Sequence, residues 1–113
     1  MKIALKTQAT QKHFGTTCSV TEYPLENANL DMAVATINGR YPDSGRVVNR
    51  QCDELAYVSH GIGKIVINGE EQPLVAGDVI LIESGEPYFW EGNLTLFLSC
   101  RPAWNKEQHH IIE

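Results

Sequence analysis

Asn68-Gly69, set directly after Ile65-Val66-Ile67, constrains this chain more than any other pair of residues. An Asn-Gly pair supplies the two successive positive-φ residues of a type I′ turn, so a β-branched run leading into it reads as one arm of a tight hairpin. The surroundings repeat the pattern. Ala76-Gly77-Asp78 predicts a second turn, Val79-Ile80-Leu81-Ile82 an apolar strand, Ser84-Gly85-Glu86-Pro87 a third turn and Tyr88-Phe89-Trp90 an aromatic strand. Short strands about ten residues apart, with turn chemistry between them, predict an all-β antiparallel sandwich or barrel.

The flanks fit the same class. Cys18 to Tyr23 reads as a strand that Pro24 ends. From Leu30 the alternation is clean, with Leu30, Met32, Val34 and Thr36 on one face and Asp31, Ala33, Ala35 and Ile37 on the other. Asn38 to Gly45 is rich in turn residues and predicts a loop. Leu94 to Cys100 predicts the last strand, its leucines alternating with Thr95, Phe97 and Ser99 until Pro102 stops it. Trp104 to His110 is polar apart from the tryptophan and reads as a turn or tail packed back through Trp104. Residues 1–17 have little periodicity. Part of them is expected to add to a sheet edge, of this subunit or of a neighbour, which makes a homodimer through sheet edges or the N-terminal strand the expected assembly.

A chain of 113 residues is expected to form one domain over 1–113, with its barrel core at about 30–100. Nine basic against 14 acidic residues leave a net charge of −5, which weighs against nucleic acid or an anionic membrane as the main partner. No apolar run is long enough to span a bilayer, and the one in Met1 to Lys6 is too short for a secretory signal, so a cytoplasmic location is expected. Cys18, Cys52 and Cys100 are odd in number and lack CxxC spacing, and read as free thiols.

The segment Glu54-Leu55-Ala56-Tyr57-Val58-Ser59-His60-Gly61, followed by Gly63, Gly69, Gly77-Asp78 and Gly85-Glu86-Pro87, resembles the two conserved segments of the cupins. The resemblance covers about half the chain and implies a jelly-roll barrel, the double-stranded β-helix. Metal-binding cupins carry two histidines two residues apart, then a glutamate, then a third histidine on the later strand. Aligned on Glu54, those histidine positions hold Val48, Arg50 and Tyr88, and a one-residue change of register puts Val47 and Asn49 at the first two. Glu83 stands where the second segment usually has proline. The resemblance therefore implies a barrel whose metal site is lost, with no cofactor. A permanent guanidinium at a ligand position would repel a divalent ion, and Cys52 as a substitute ligand is the remaining route to a metal. His13, His60, His109 and His110 miss the ligand positions. His60 is read at a turn and the His109-His110 pair as solvated tail.

On a strand, Val48, Arg50, Cys52, Glu54 and Ala56 share a face, which the resemblance makes the barrel interior. Tyr88 and Trp90 would face it from the opposite strand, with Arg40 and Tyr41 at the rim. Arg50 and Glu54 either pair with each other, since burying them unpaired costs several kcal/mol, or hold a ligand between forked donors and a carboxylate. Tyr88 and Trp90 are likewise either core or a stacking platform. Cys52 and Cys100 have no histidine placed to activate them and read as core. Three functions follow. The first is metal-independent binding of a small polar ligand, a carbohydrate or a carboxylate-bearing metabolite. The second is an isomerase, epimerase or lyase with Glu54 as general base, Tyr88 as general acid and Arg50 on an enolate-like charge. Arg50 beside Glu54 would oppose that chemistry by lowering the carboxyl's pKa. The third is a structural dimer with a filled barrel.

Overall fold

Nine strands make up the computed structural model, which describes all 113 residues: β1 Thr10–Phe14, β2 Cys18–Glu22, β3 Ala33–Tyr41, β4 Arg46–Asn49, β5 Asp53–Ile67, β6 Glu70–Val75, β7 Val79–Ile82, β8 Tyr88–Arg101 and β9 His109–Ile112. The only helical pieces are single 3-10 turns at Lys6–Gln8 and Lys106–Gln108. All pairings are antiparallel. One path runs β1-β2-β3-β8-β4-β9, while β5 pairs with β6, β7 and β8. Because β8 pairs with β5 along its whole length and with β3 and β4 on its other side, the sheet curls into a barrel, as the sequence predicts.

The Asn68-Gly69 turn forms as expected, with φ of 51° and 81°, and joins β5 to β6. Gly77 and Gly85 also sit at turns with positive φ. The glycines at 61, 63 and 92 do something else. Instead of several short strands, β5 runs unbroken for 15 residues and β8 for 14, so the aromatic strand and the last strand are one element. Gly63 pairs with Gly92 where β5 and β8 cross closely. A Cβ on Gly92 would lie 2.5 Å from the Gly63 Cα. Only glycine fits there.

Two further boundaries depart from expectation. β3 starts at Ala33 and continues through Asn38 to Tyr41, the stretch read as loop, because β8 supplies partners as far as Tyr41–Trp90. The C-terminal segment is also not a solvated tail. β9 pairs with β4, placing His109 opposite Asn49 and His110 opposite Val48.

Alternation holds along the first half of β5, where Glu54, Ala56 and Val58 are buried and Leu55 and Tyr57 exposed. It fails at the junction with β4. Val47, Val48 and Asn49 are all buried, the chain bends at Arg50-Gln51, and Arg50 is left exposed. The bend is tied down by one residue. Gln108 accepts from the Arg50 N–H with its backbone carbonyl and from the Gln51 and Cys52 N–H groups with Oε1. The expectation of an interior Arg50 therefore does not hold, because strand parity is lost at a bend that a distant side chain stabilises.

Candidate functional site

Between the two curled halves lies a cavity of about 420 Å³. Its inner wall is apolar where β3 and β8 contribute Ala35, Ile37, Leu96 and Leu98, and polar where Tyr41, Glu54, Tyr88 and His109 converge. Exposed residues of β1, the segment 24–32 and the segment 103–106 form its mouth, including Lys12, Glu26 and Lys106.

Eight hydrogen bonds fix the polarity of the inner wall, starting from the backbone. The N–H groups of Gln51 and Cys52 can only donate, so the Gln108 amide presents Oε1 to them and Nε2 to Asn49. The Trp104 indole also only donates, at the longer 3.4 Å from His109 Nδ1 and at 3.2 Å from the same Asn49 atom. That atom is therefore Oδ1, and Asn49 Nδ2 points the other way, 3.4 Å from Glu54 Oε1 and 3.3 Å from the Tyr88 hydroxyl. His109 Nδ1 lies 2.6 Å from Asn49 Oδ1 and must carry the proton. Its Nε2 then holds a lone pair, which accepts from the Tyr41 hydroxyl at 2.8 Å.

This wiring leaves two groups without partners in the protein. Glu54 Oε1 accepts from Asn49 and from the Cys100 thiol at 3.7 Å, whereas Oε2 accepts nothing. The Tyr88 oxygen accepts from Asn49, and its own proton meets no acceptor. Burial pushes the Glu54 carboxyl up to about 7 against the opposing hydrogen bonds of Cys100 and Asn49. It also raises the Tyr88 phenol, with the Glu54 charge adding to the effect. His109 moves the other way, down to about 4, because burial and neighbouring His110 disfavour the imidazolium. The wall thus holds a carboxyl able to gain or lose a proton near neutrality, beside a phenol that keeps its own.

Two of the three thiols, Cys18 and Cys100, are poor nucleophiles, whereas the hydrogen bond from Cys100 lowers the pKa of Cys52. Burial pushes Cys18 up to about 12. Cys100 is raised by its hydrogen bond with Cys52, by burial and by the Glu54 charge.

Of the residues singled out in the sequence, Tyr41, Glu54, Tyr88 and Trp90 line the cavity together. Tyr41 sits inside rather than at the rim, 8 % exposed. Arg50 and Arg40 do not join them. The Arg40 guanidinium lies 3.9 Å above the Phe89 ring and donates to the carbonyls of Pro42 and Gly45, closing the loop after β3. No three His, Cys, Asp or Glu side chains come together as a metal-holding group, and both His109 nitrogens are engaged within the protein. Sequence reasoning missed Asn49, Trp104, Gln108 and His109 as a set. The apolar pair Ile111-Ile112 after the two histidines is the signal that could have marked a packed strand there.

No protein-family model matches the sequence, and no curated protein matches it. Similarity appears among solved structures. A Streptomyces Pac13 variant with uridine superposes with a TM-score of 0.90 at 16% identity, over 100% of this chain and 91% of its own. A second Pac13 structure, described as a unique nucleoside dehydratase, gives 0.89 at 16% identity over 100% of this chain and 92% of its own. An RmlC-like cupin from Shewanella frigidimarina gives 0.75 at 17% identity over 92% of this chain and 93% of its own. KdgF from a Halomonas species gives 0.73 at 12% identity over 95% and 98%. The barrel seen here, with the polar pocket inside it, is accordingly a cupin fold.

Proposed function

We propose that this protein binds a small, uncharged, hydroxyl-bearing ring compound in its cavity and acts on it by metal-independent acid–base chemistry, Glu54 serving as base and Tyr88 as acid. The observation that carries this reading is the pair of unpartnered groups, Glu54 Oε2 and the Tyr88 O–H, held by one Asn49 amide nitrogen. A carboxylate raised to about 7 by burial is matched to proton abstraction at neutral pH. The objection raised by an adjacent Arg50 falls away, because that side chain is outside.

Elimination of water is the chemistry these groups suit best. Glu54 Oε2 takes a proton from carbon, and the Tyr88 O–H bond breaks as its proton passes to the departing hydroxyl. Burial keeps the Tyr88 pKa raised throughout, but protonation of Glu54 removes the charge that had added to it, so the phenol becomes a stronger acid at that moment. Asn49 Nδ2 donates to the Tyr88 oxygen as charge builds there. The proton then returns from Glu54 to Tyr88 through water.

The uncharged ligand is supported by electrostatics. No arginine lines the cavity, Lys12 at the mouth is paired with Glu22 at 2.9 Å, and the one lysine left without an ion pair, Lys106, is outweighed by Glu54, Asp31 and Glu26. A phosphate or carboxylate would meet repulsion without a clamp. Neutral sugars and nucleosides remain, and the uridine-bearing Pac13 structures make nucleosides the first class to assay.

Thermal shift against uridine, other nucleosides, neutral sugars and their phosphates tests the binding half. The neutral compounds are expected to raise the melting temperature and the phosphates to leave it unchanged. For a compound that binds, proton NMR in D2O reads base chemistry directly, as solvent deuterium appearing at a ligand carbon or as an unsaturated product. Glu54→Gln is expected to keep the thermal shift and lower turnover by about 10²–10⁴-fold, as is Tyr88→Phe. Full turnover in Glu54→Gln would remove the proposed base.

A further inference from the structure

The elimination just described uses Glu54 and Tyr88, and leaves Tyr41 and His109 idle although both line the same cavity. We propose that Tyr41, backed by His109 and Asn49, is a second proton-carrying group of the cavity, which activates a hydroxyl of the bound ligand. The inference rests on the preceding reading for the location of the ligand, and on nothing else in it.

A buried tyrosine with a purely structural role needs one acceptor for its proton, and any backbone carbonyl would serve. Here the acceptor is an imidazole nitrogen 2.8 Å away, and the tautomer that gives this nitrogen a lone pair is imposed from outside. Asn49 Oδ1 demands the proton on Nδ1, Gln108 Nε2 and Trp104 Nε1 hold Oδ1 in place, and the Gln51 and Cys52 N–H groups hold Gln108. Five residues thus fix the direction in which a proton can leave Tyr41. Free imidazole prefers the opposite tautomer.

The step balances without a further reactant. The ligand O–H bond breaks and a new O–H bond forms at Tyr41, while the original Tyr41 O–H breaks and an N–H bond forms at His109 Nε2. The charged pair, a ligand alkoxide and an imidazolium donating to Asn49 Oδ1, is transient, because burial disfavours the imidazolium. Reversal restores the starting state. Burial keeps His109 unprotonated at neutral pH, so the lone pair is available. Only Tyr41 would touch the ligand; His109 and Asn49 are positioning residues.

Histidine-labelled protein examined by long-range 1H–15N NMR at pH 7 tests the wiring without any ligand. His109 is expected to show a protonated Nδ1 and an Nε2 shifted by an accepted hydrogen bond. In Tyr41→Phe the Nε2 signal should move toward that of an unbonded lone pair while Nδ1 stays protonated. Asn49→Ala should shift the population toward the Nε2–H tautomer. Gln108→Glu is the second variant should that one fold poorly, since an oxygen facing Asn49 Oδ1 forces its amide to turn over and should likewise release the tautomer. An Nε2–H tautomer in the unsubstituted protein overturns the proposal whatever Glu54→Gln does to turnover. With uridine, or whichever nucleoside or sugar the thermal-shift assay identifies, Tyr41→Phe is expected to lower kcat about 10²-fold with KM within about threefold. Unchanged kcat in Tyr41→Phe, with Glu54→Gln inactive, overturns the relay and leaves the Glu54 and Tyr88 reading standing. Loss of turnover in Tyr41→Phe with Glu54→Gln fully active supports the relay and overturns that reading instead.

Discussion

Asn49 and Arg50 are neighbours in sequence with opposite fates. Asn49 is 2 % exposed and engages five side chains, while Arg50 lies in solvent. Arg50→Ala is therefore expected to shift the urea midpoint by no more than about 0.5 kcal/mol equivalent and to leave any ligand-induced thermal shift intact. Asn49→Leu leaves Gln108 Nε2 without its acceptor and takes the donor from Glu54 Oε1 and the Tyr88 oxygen, while Trp104 Nε1 keeps only its 3.4 Å contact to His109 Nδ1. At about 1–3 kcal/mol for each buried unsatisfied group, the same titration should register a loss of about 3 kcal/mol or more. Glu54, Tyr88 and Trp90 were legible because the resemblance identified the interior face and period-2 alternation carries that face through an intact strand. Asn49 came up only under a one-residue change of register, because the parity breaks at a bend whose stabilising partner, Gln108, lies 57 residues away. No local pattern encodes a side chain that arrives from the far end of the chain.

At the scale of elements, the glycines divide into two kinds that look alike in a sequence. Gly77 and Gly85 have positive φ and open space where a Cβ would be, so their role is the turn itself. Gly63 and Gly92 instead allow β5 and β8 to cross, and Gly61 faces the Asn93 carbonyl so closely that a Cβ would sit 1.9 Å from its oxygen. Gly77→Ala should cost about 1–2 kcal/mol, the ordinary penalty of a left-handed conformation. Gly92→Ala adds a backbone clash to that penalty and should cost distinctly more, about 3 kcal/mol or above. Comparative urea unfolding of the two variants checks the order, and equal costs would mean the crossing relaxes readily. The antiparallel barrel was legible because turn chemistry and alternation agree over most of the chain. Strand lengths were not. A glycine between two apolar runs reads as a break, and only the partner strand shows that the chain continues straight through.

For the molecule as a whole, two groups of the cavity, Glu54 and His109, pull stability in opposite directions with pH. Glu54 titrates at about 7 when folded against 4.5 as a free side chain. Between those values the folded chain keeps a proton the unfolded chain has released, so stability falls as pH rises through that window. His109 titrates at about 4 against 6.5. Between those values the unfolded chain holds a proton the folded chain refuses, so stability falls as pH drops. From about pH 4.5 to 6.5 the two proton differences are equal and opposite, and their joint slope is near zero. Substituting either residue should unmask the other. Glu54→Gln should lose stability on acidification below 6.5, and His109→Gln should lose it on raising the pH from 4.5 toward 7, each by on the order of 3 kcal/mol across its window. Urea midpoints measured from pH 4.5 to 7.5 read both slopes, and only their signs matter if the substitutions also lower stability uniformly. Slopes of the same sign in the two variants would mean that the carboxyl and the imidazole do not occupy the opposed protonation states that make one a base and the other a waiting acceptor.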